Sequence, residues 1–211
     1  MEKASIVMNT FNEKIEFLIP AIESYLSQEG CNIELIISTI EDDINLDLIK
    51  KKYPKIKLAI MERKDHPGKS PLGSFLQLNN ALKYITGDWF SFASSNDLAY
   101  SFKIKKEIDT CNKFKRQICY SSYENINTEG ERTNIIRFND YNYKKHLQGN
   151  FVSDCALVST NLLKRYMPFN TELKNYAYWD LWLRIYKREG NVFIYNPIPT
   201  WQYRQNPDSM H

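Results

Sequence analysis

Residues 4–8 read Ala4-Ser5-Ile6-Val7-Met8, followed by Asn9-Thr10-Phe11-Asn12 and then by Ile15, Leu18, Ile19, Ile22, Tyr25 and Leu26 at helical spacing, up to Gly30. A short apolar run without alternation suits a strand buried on both faces. The polar turn ends it, and the period after it predicts a helix, with Pro20 opening the helix proper or kinking it. The unit then recurs. Ile33 to Ser38 predicts a second strand, Ile44 to Tyr53 a helix stopped by Pro54, and Ile56 to Met61 a third strand; a helix from Leu72 to Tyr84 and a strand from Trp89 to Ala93 complete the series. Strands alternating with helices predict an α/β fold with a mostly parallel central sheet flanked by helices. Ligands of such sheets bind at the carboxyl ends of the strands, so residues 9–12, 38–43 and 94–97 are expected to face one crevice.

Beyond Tyr100 the alternation weakens. A basic helix is predicted from Phe102 to Lys115, with Lys103, Lys105 and Lys106 as its solvated face. A strand near Ile118 to Tyr123, a turn at Thr128-Glu129-Gly130, helices over Asn161–Tyr166 and Tyr178–Arg188, a strand Val192–Tyr195 and the closing Trp201-Gln202-Tyr203-Arg204 follow. No Gly/Ser-rich linker divides the chain. A single domain over residues 1–211 is expected, with residues 1–100 as one half and 101–211 fused to it.

Composition narrows the function classes. The chain has 211 residues, 43% hydrophobic, 14% aromatic and 25% charged, which supports a packed core and excludes low-complexity disorder. A net charge of +3, from 28 basic and 25 acidic residues, is too small for a nucleic-acid groove. No apolar run approaches the roughly 20 residues that cross a bilayer. The N-terminus lacks a signal-peptide core, so a cytoplasmic location is expected. The four cysteines show no C-x-x-C spacing, which favours reduced, partly buried thiols. No two of the seven glycines stand two apart, so a dinucleotide fingerprint is absent. Gly68-Lys69-Ser70-Pro71-Leu72-Gly73-Ser74 has the glycine spacing of a phosphate loop without the lysine that such a loop needs, and it is set aside. With His only at positions 66, 146 and 211, neither a His-rich metal site nor a Ser/His triad is readable.

Several segments, in order, resemble the GT-A glycosyltransferases of the family 2 type. Ser5-Ile6-Val7-Met8-Asn9-Thr10-Phe11-Asn12 is similar to that family's opening S-I-I-I-P-T-Y-N, and Glu34-Leu35-Ile36-Ile37 to its second strand. The spacing from Asn79 to Gly87-Asp88-Trp89 resembles the segment before the family's metal motif. Trp179-Asp180-Leu181-Trp182-Leu183-Arg184 resembles its D-L-W-L-R helix, and Tyr203 to Ser209 its closing Y-R-x-H-P-x-S.

The resemblance implies a Rossmann-like GT-A fold whose first half binds a nucleotide sugar such as a UDP-sugar and whose second half receives the acceptor. It implies inverting transfer of the sugar to a hydroxyl of a glycan, lipid-linked or protein acceptor, in glycan biosynthesis, assisted by Mg²⁺ or Mn²⁺. Thr10, Asn12, Asn79, Ser94, Ser95 and Arg204 are the implied nucleotide contacts, with Arg204 on the diphosphate. Where the family has Asp-Asp-Gly-Ser against the base, this chain has Ser38-Thr39-Ile40-Glu41, so Thr39, Glu41 or Asp42 would meet the base or ribose. At the D-x-D position stand Asn96 and Asp97, a weaker pair of metal ligands than two carboxylates. Ala177-Tyr178 replaces the Glu-Asp pair that supplies the general base. Asp180 is then the first candidate base, although it equally suits a helix cap; Asp154 is the reserve and Glu172 the third. Trp179, Trp182 and Trp201 could stack on a sugar or lie in the core. These departures leave a second function open, a non-catalytic nucleotide-sugar or glycan-binding module. A sugar nucleotidyltransferase is disfavoured because no Gly-rich phosphate loop stands near the N-terminus.

Overall fold

A computed structural model describes residues Met1–Gln205. Strand β1 (Lys3–Asn9) leads into helix α1 (Ile15–Leu26), β2 (Asn32–Ile40), α2 (Leu46–Lys52) and β3 (Lys57–Met61). Helix α3 (Pro71–Ala81) and β4 (Trp89–Ser94) complete the first half. β1 pairs in parallel with β2 and β4, and β2 with β3, so this half is the parallel sheet that the alternation predicts, in the order β3-β2-β1-β4.

Burial explains why β1 lacks alternation. Ile6 and Met8 face a core shared with Leu18, Ala21, Ile22 and Tyr25 of α1, whereas Val7 faces the opposite core under α3. All three strand residues are fully buried, and each contributes about 1.5–3 kcal/mol of hydrophobic stabilisation. Pro20 lies inside α1 without dividing it, at an exposed position. Gly87 sits where β4 begins; a Cβ there would stand 2.7 Å from the Ser5 nitrogen and 2.9 Å from the Lys3 oxygen, so no other residue lets the chain approach β1 so closely.

The second half is mixed rather than parallel. It comprises β5 (Leu98–Ala99), α4 (Lys103–Phe114), β6 (Ile118–Ile126), β7 (Arg132–Ile136), a short α5 (Tyr143–His146), β8 (Leu157–Ser159), α6 (Thr160–Lys164), α7 (Ala177–Glu189) and β9 (Phe193–Arg204). The sheet continues past β4 as β8-β6-β9-β5, with β7 on β6. β8 is antiparallel to both neighbours, and β9 runs parallel to β6. The two sequence fragments around Tyr195 and Trp201 are therefore one strand. Pro197 and Pro199 interrupt its apolar pattern, and the ladder slips opposite them, between Ser121 and Tyr123, because proline has no N–H to donate.

The expected solvated face of α4 needs correction at its first residue. Lys103 is fully buried, its Nζ 2.8 and 2.7 Å from the two Glu107 carboxylate oxygens and 3.0 Å from the Cys155 carbonyl. Ser121 and Thr200 each donate to Glu107 Oε1 at 2.8 Å. A buried charge is tolerable only when paired and hydrogen-bonded in this way. Lys105 and Lys106 keep the expected partial exposure. All four cysteines are buried and none forms a disulfide. Among the described residues, no helix is long and apolar enough to cross a membrane.

Candidate active site

The site follows from the parallel register. Asn9 of β1 stands opposite Ser94 of β4, so both strands end at one level and release their loops side by side. A cavity of about 510 Å³ opens there, a volume ordinary for a small-molecule site. Thr10, Phe11 and Glu13 line it from the β1 loop, and Ser94 through Asp97 from the β4 loop. Asp154 and Tyr178 face it from the second half.

Asp97 is the most constrained of these groups. It is 4% exposed, and its Oδ1 accepts the Arg204 backbone N–H at 2.9 Å. Burial pushes its carboxyl up to about 7, against the pull of Arg204 and with added repulsion from Glu13 and Asp154. The neighbouring Asn96 Oδ1 accepts the Ser94 hydroxyl at 2.5 Å.

Arg204 does not line the cavity. Its Nε donates to the Asn96 carbonyl at 3.0 Å, and its Nη1 donates to the Asn127 and Thr128 carbonyls at 3.1 and 3.0 Å. The guanidinium also lies 4.7 Å from the centre of the Phe17 ring. Arg204 thus ties the β4 loop to β9 and the turn after β6. The rest of its motif from Asn206 through Ser209 lies outside the described residues.

Asp154 is open to the cavity although protein surrounds the cavity itself. That surrounding mass pushes its carboxyl up to about 7, and water in the cavity offsets part of the rise. Its position is held through the next peptide: the Cys155 carbonyl accepts from Lys103 Nζ and from the Ser91 hydroxyl, both at 3.0 Å. Asp180 has a different setting. It lies on α7, accepts Arg184 Nε at 2.7 Å, and does not line the cavity. Glu172 is exposed, in the 3₁₀ turn before α7.

The other sequence-derived candidates lie behind or beside the cavity. Thr39 is fully buried and donates to Asp43 Oδ2 at 2.8 Å; that carboxylate also accepts the Asn12 N–H at 3.1 Å. Asn12 accepts the Ile44 N–H at 3.0 Å. Asp43 thereby closes the end of β2, and the loop expected to share the crevice is folded onto itself. Glu41 is exposed and accepts the Arg63 N–H at 2.8 Å, and Asp42 pairs with Arg63 at 3.4 Å. Asn79 accepts the Phe169 N–H at 2.8 Å and donates to its carbonyl at 3.1 Å, pinning the segment before α7. Trp182 is core, Trp179 donates to the His146 carbonyl at 2.6 Å, and Trp201 lines the cavity.

Sequence reasoning missed one wall. Gly68, Lys69, Ser70 and Ser74, set aside as a chance spacing, all line the cavity, as does His66, whose ring stacks on Phe11 at 5.1 Å. Gly73 is packed so closely that a Cβ would meet His66 Nε2 at 2.7 Å. The Ser70 cap and Pro71 at the first turn of α3 were the available signal, because they aim a helix N-terminus at this loop.

The lining is acidic. Glu13, Asp97 and Asp154 face one cation, Lys69, among the described residues. No group of three or more His, Cys, Asp or Glu among the described residues is placed to hold a metal ion. The Asp97 carboxylate and the Asn96 amide oxygen are hard donors. They fit a divalent cation that takes its remaining ligands from phosphate oxygens and water.

No family model matches the chain. It is 28% identical over 207 residues to an uncharacterized glycosyltransferase of Rickettsia typhi, covering 88% of this chain and 62% of that protein. It is 25% identical over 194 residues to the Escherichia coli UDP-Glc:alpha-D-GlcNAc-diphosphoundecaprenol beta-1,3-glucosyltransferase WfgD, covering 91% of this chain and 72% of that one. The fold matches that of S. aureus TarS 1-349 in complex with UDP, with a TM-score of 0.73 at 17% identity, over 97% of this chain and 61% of the other. The chain thus spans about three-fifths of the Rickettsia relative. The chain thus has the fold of TarS and is similar, along nearly all of its length, to proteins named as glycosyltransferases.

Proposed function

We propose that this domain transfers a sugar from a UDP-sugar to an acceptor hydroxyl with inversion at the anomeric carbon. One observation carries the reading: the tips of β1 and β4 and the Asp154 loop meet in one cavity, which Asp97 and Asp154 both line. The UDP bound by TarS and the UDP-glucose named for WfgD support the choice of donor. WfgD's lipid-linked acceptor supports an acceptor of that class. Residues 1–100 form the donor half in this reading, and residues 101–211 the acceptor half.

Single displacement needs a base on the face of the anomeric carbon opposite the leaving group. Asp154 takes that role here. Its ionised carboxylate accepts the acceptor hydroxyl proton as the acceptor oxygen bonds to the anomeric carbon and the bond to the diphosphate oxygen breaks. A carboxyl raised above the ordinary carboxylate range is a stronger base than a fully solvated one. Asp180 is the weaker choice because Arg184 holds its carboxylate outside the cavity.

Thr10, Ser94 and Ser95 supply polar contacts to the nucleotide, and the β4 loop orients the diphosphate beside Asp97. Mg²⁺ or Mn²⁺ held by Asp97 and Asn96 would neutralise the charge of the departing diphosphate. Arg204 acts through Asp97 and Asn96 rather than on the phosphates. Radiolabelled transfer from UDP-glucose and UDP-GlcNAc to lipid-diphosphate-linked GlcNAc, in manganese, tests the reading. Failure of every donor, together with no UDP binding in calorimetry, would refute it; UDP binding without any transfer would favour the binding-module alternative.

A further inference from the structure

Beside the cavity lies an exposed apolar patch that the site does not use. Leu147 is 51% exposed and Tyr176 62%. Leu147 ends α5, and Tyr176 closes the 3₁₀ turn Thr171–Tyr176 before α7. Trp179 joins them: its ring centre is 6.0 Å from that of Tyr176, and its Nε1 donates at 2.6 Å to the carbonyl of His146, the residue before Leu147. The Leu147 N–H donates to the Tyr143 carbonyl at 2.9 Å, so Tyr143 sits one turn back on the same face, its ring stacked on Tyr186 at 4.3 Å. Both segments continue into the cavity wall. Asn150, Phe151 and Val152 line it shortly after Leu147, and Tyr178 lines it just after Tyr176. His146 Nε2 and Asn150 Oδ1, 3.0 Å apart, tie the patch to that rim.

Charge decides what such a patch fits. Residues 143–148 and 172–179 hold Lys144, Lys145 and Lys174 against one carboxylate, Glu172. All three lysines are exposed, and none has an ion-pair partner among the described residues. Lysine is depleted from protein–protein interfaces, because its strongly hydrated ammonium is costly to bury. A second copy of this chain would bring like charges together. A bilayer surface presents neither obstacle: tyrosine and tryptophan rings sit at headgroup level, a leucine reaches the acyl boundary, and lysines stay hydrated against anionic headgroups. Another basic surface, with Arg165, Lys187 and Arg188 at the far end of α7, offers charge without an exposed large apolar side chain among its lining residues.

Resting on the lipid-linked acceptor of the reading above, we propose that this patch is a membrane-surface contact for a bilayer that contains anionic phospholipid. Leu147, Tyr176 and Trp179 enter the interface, and Lys144, Lys145 and Lys174 hold to its headgroups. The rim of the cavity is thereby kept beside the headgroup layer, where the diphosphate of a lipid-linked acceptor lies. The contact is peripheral and reversible. So few apolar side chains supply too little buried area for permanent anchoring, so apolar burial and charge are both needed and added salt releases the protein.

The test is flotation of this chain with vesicles of phosphatidylcholine, alone or mixed with phosphatidylglycerol, at low and high salt and without donor or acceptor. Binding is expected to be at least about 10-fold stronger on the anionic vesicles and to fall in high salt. Lys144→Glu combined with Lys145→Glu should weaken it at least about 10-fold, and Leu147→Ser and Tyr176→Ser about 3-fold each, with UDP affinity unchanged. Lys187→Glu combined with Arg188→Glu makes the same charge change at the far end of α7 and should leave binding within about 2-fold. No binding to anionic vesicles, equal binding to both kinds, or an equal loss in the variant at the far end of α7 would each overturn the proposal. So would a solution dimer that Leu147→Ser dissociates. Failure of the donor reading shows up separately, as intact vesicle binding by a protein that binds no UDP; failure of the membrane contact shows up as UDP binding and transfer to a water-soluble acceptor without vesicle binding.

Discussion

The Arg204 backbone N–H donates to Asp97 Oδ1 at 2.9 Å, so the end of β9 and the loop after β4 are held as one piece although they are 107 positions apart. The Arg204 side chain strengthens the same joint through the Asn96, Asn127 and Thr128 carbonyls. Arg204→Ala removes one donor from each of three carbonyls and leaves the backbone contact to Asp97 in place. The variant is expected to lose about 2–4 kcal/mol in urea unfolding and to bind UDP more weakly, because the β4 loop loses its orientation. Unchanged stability would show that the network is dispensable.

Lys103 and Glu107 form a second joint, directly behind Asp154. Lys103→Met leaves the Glu107 carboxylate buried without its cation and releases the Cys155 carbonyl. The expected loss is about 3–5 kcal/mol, with recovery of part of it in the double variant Lys103→Met, Glu107→Leu. A fully additive double variant would argue against coupling.

Asp154 and Asp180 are separated by kinetics. Asp154→Asn should lower kcat by about 10²–10⁴-fold with UDP affinity unchanged, since it removes a proton acceptor and no nucleotide contact. The wild-type rate is expected to climb with pH as the carboxyl ionises, at a pH above the ordinary carboxylate range. Asp180→Asn should instead cost up to about 1 kcal/mol of stability through its bridge to Arg184, a partly exposed pair, and leave the pH profile in place. The reverse pattern would return the base to α7.

The acidic lining makes UDP binding depend on added positive charge. Calorimetry with UDP in manganese, and again after chelation, is expected to show at least about 10-fold weaker binding without the ion, and Asp97→Asn should blunt that difference. Equal affinity in both buffers would mean that Lys69 and the backbone of the loop suffice.

Much of this arrangement can be read from the sequence where local physics decides it. The first four strands and their helices follow from apolar runs and 3.6-residue periods. The crevice at β1 and β4 follows from their shared direction. The end of β2 does not follow, because whether Thr39 faces a ligand or Asp43 depends on a loop that closes through side chains four residues apart. Lys103 misleads for a similar reason: a lysine at the start of a basic helix reads as solvated until Glu107, Ser121 and Thr200 are brought around its partner by tertiary packing. Arg204 combines both lessons. Its motif is legible, yet the carbonyls that absorb its donors come from a turn more than seventy residues earlier in the chain.

Glu34 supplies the clearest prediction about pH. It sits at the amino end of the sheet, away from the cavity, 8% exposed, and accepts from Lys3 Nζ at 2.8 Å, Lys57 Nζ at 2.7 Å, Ser5 Oγ at 2.6 Å and Thr86 Oγ1 at 2.7 Å. Burial alone would raise its carboxyl, but these four donors outweigh it and hold the group well below the usual carboxylate range. A carboxyl depressed in the folded state binds its proton more readily in the unfolded chain. The stability it contributes is therefore complete above its unfolded value of 4.5 and drains away as pH falls toward the folded value. Glu34→Gln should cost roughly 2–3 kcal/mol at pH 7 and progressively less below pH 4, while activity per folded molecule stays unchanged. Urea unfolding of both proteins between pH 2.5 and 7 measures this, and a difference that stays constant across the range would mean that the cluster acts by packing and not by charge.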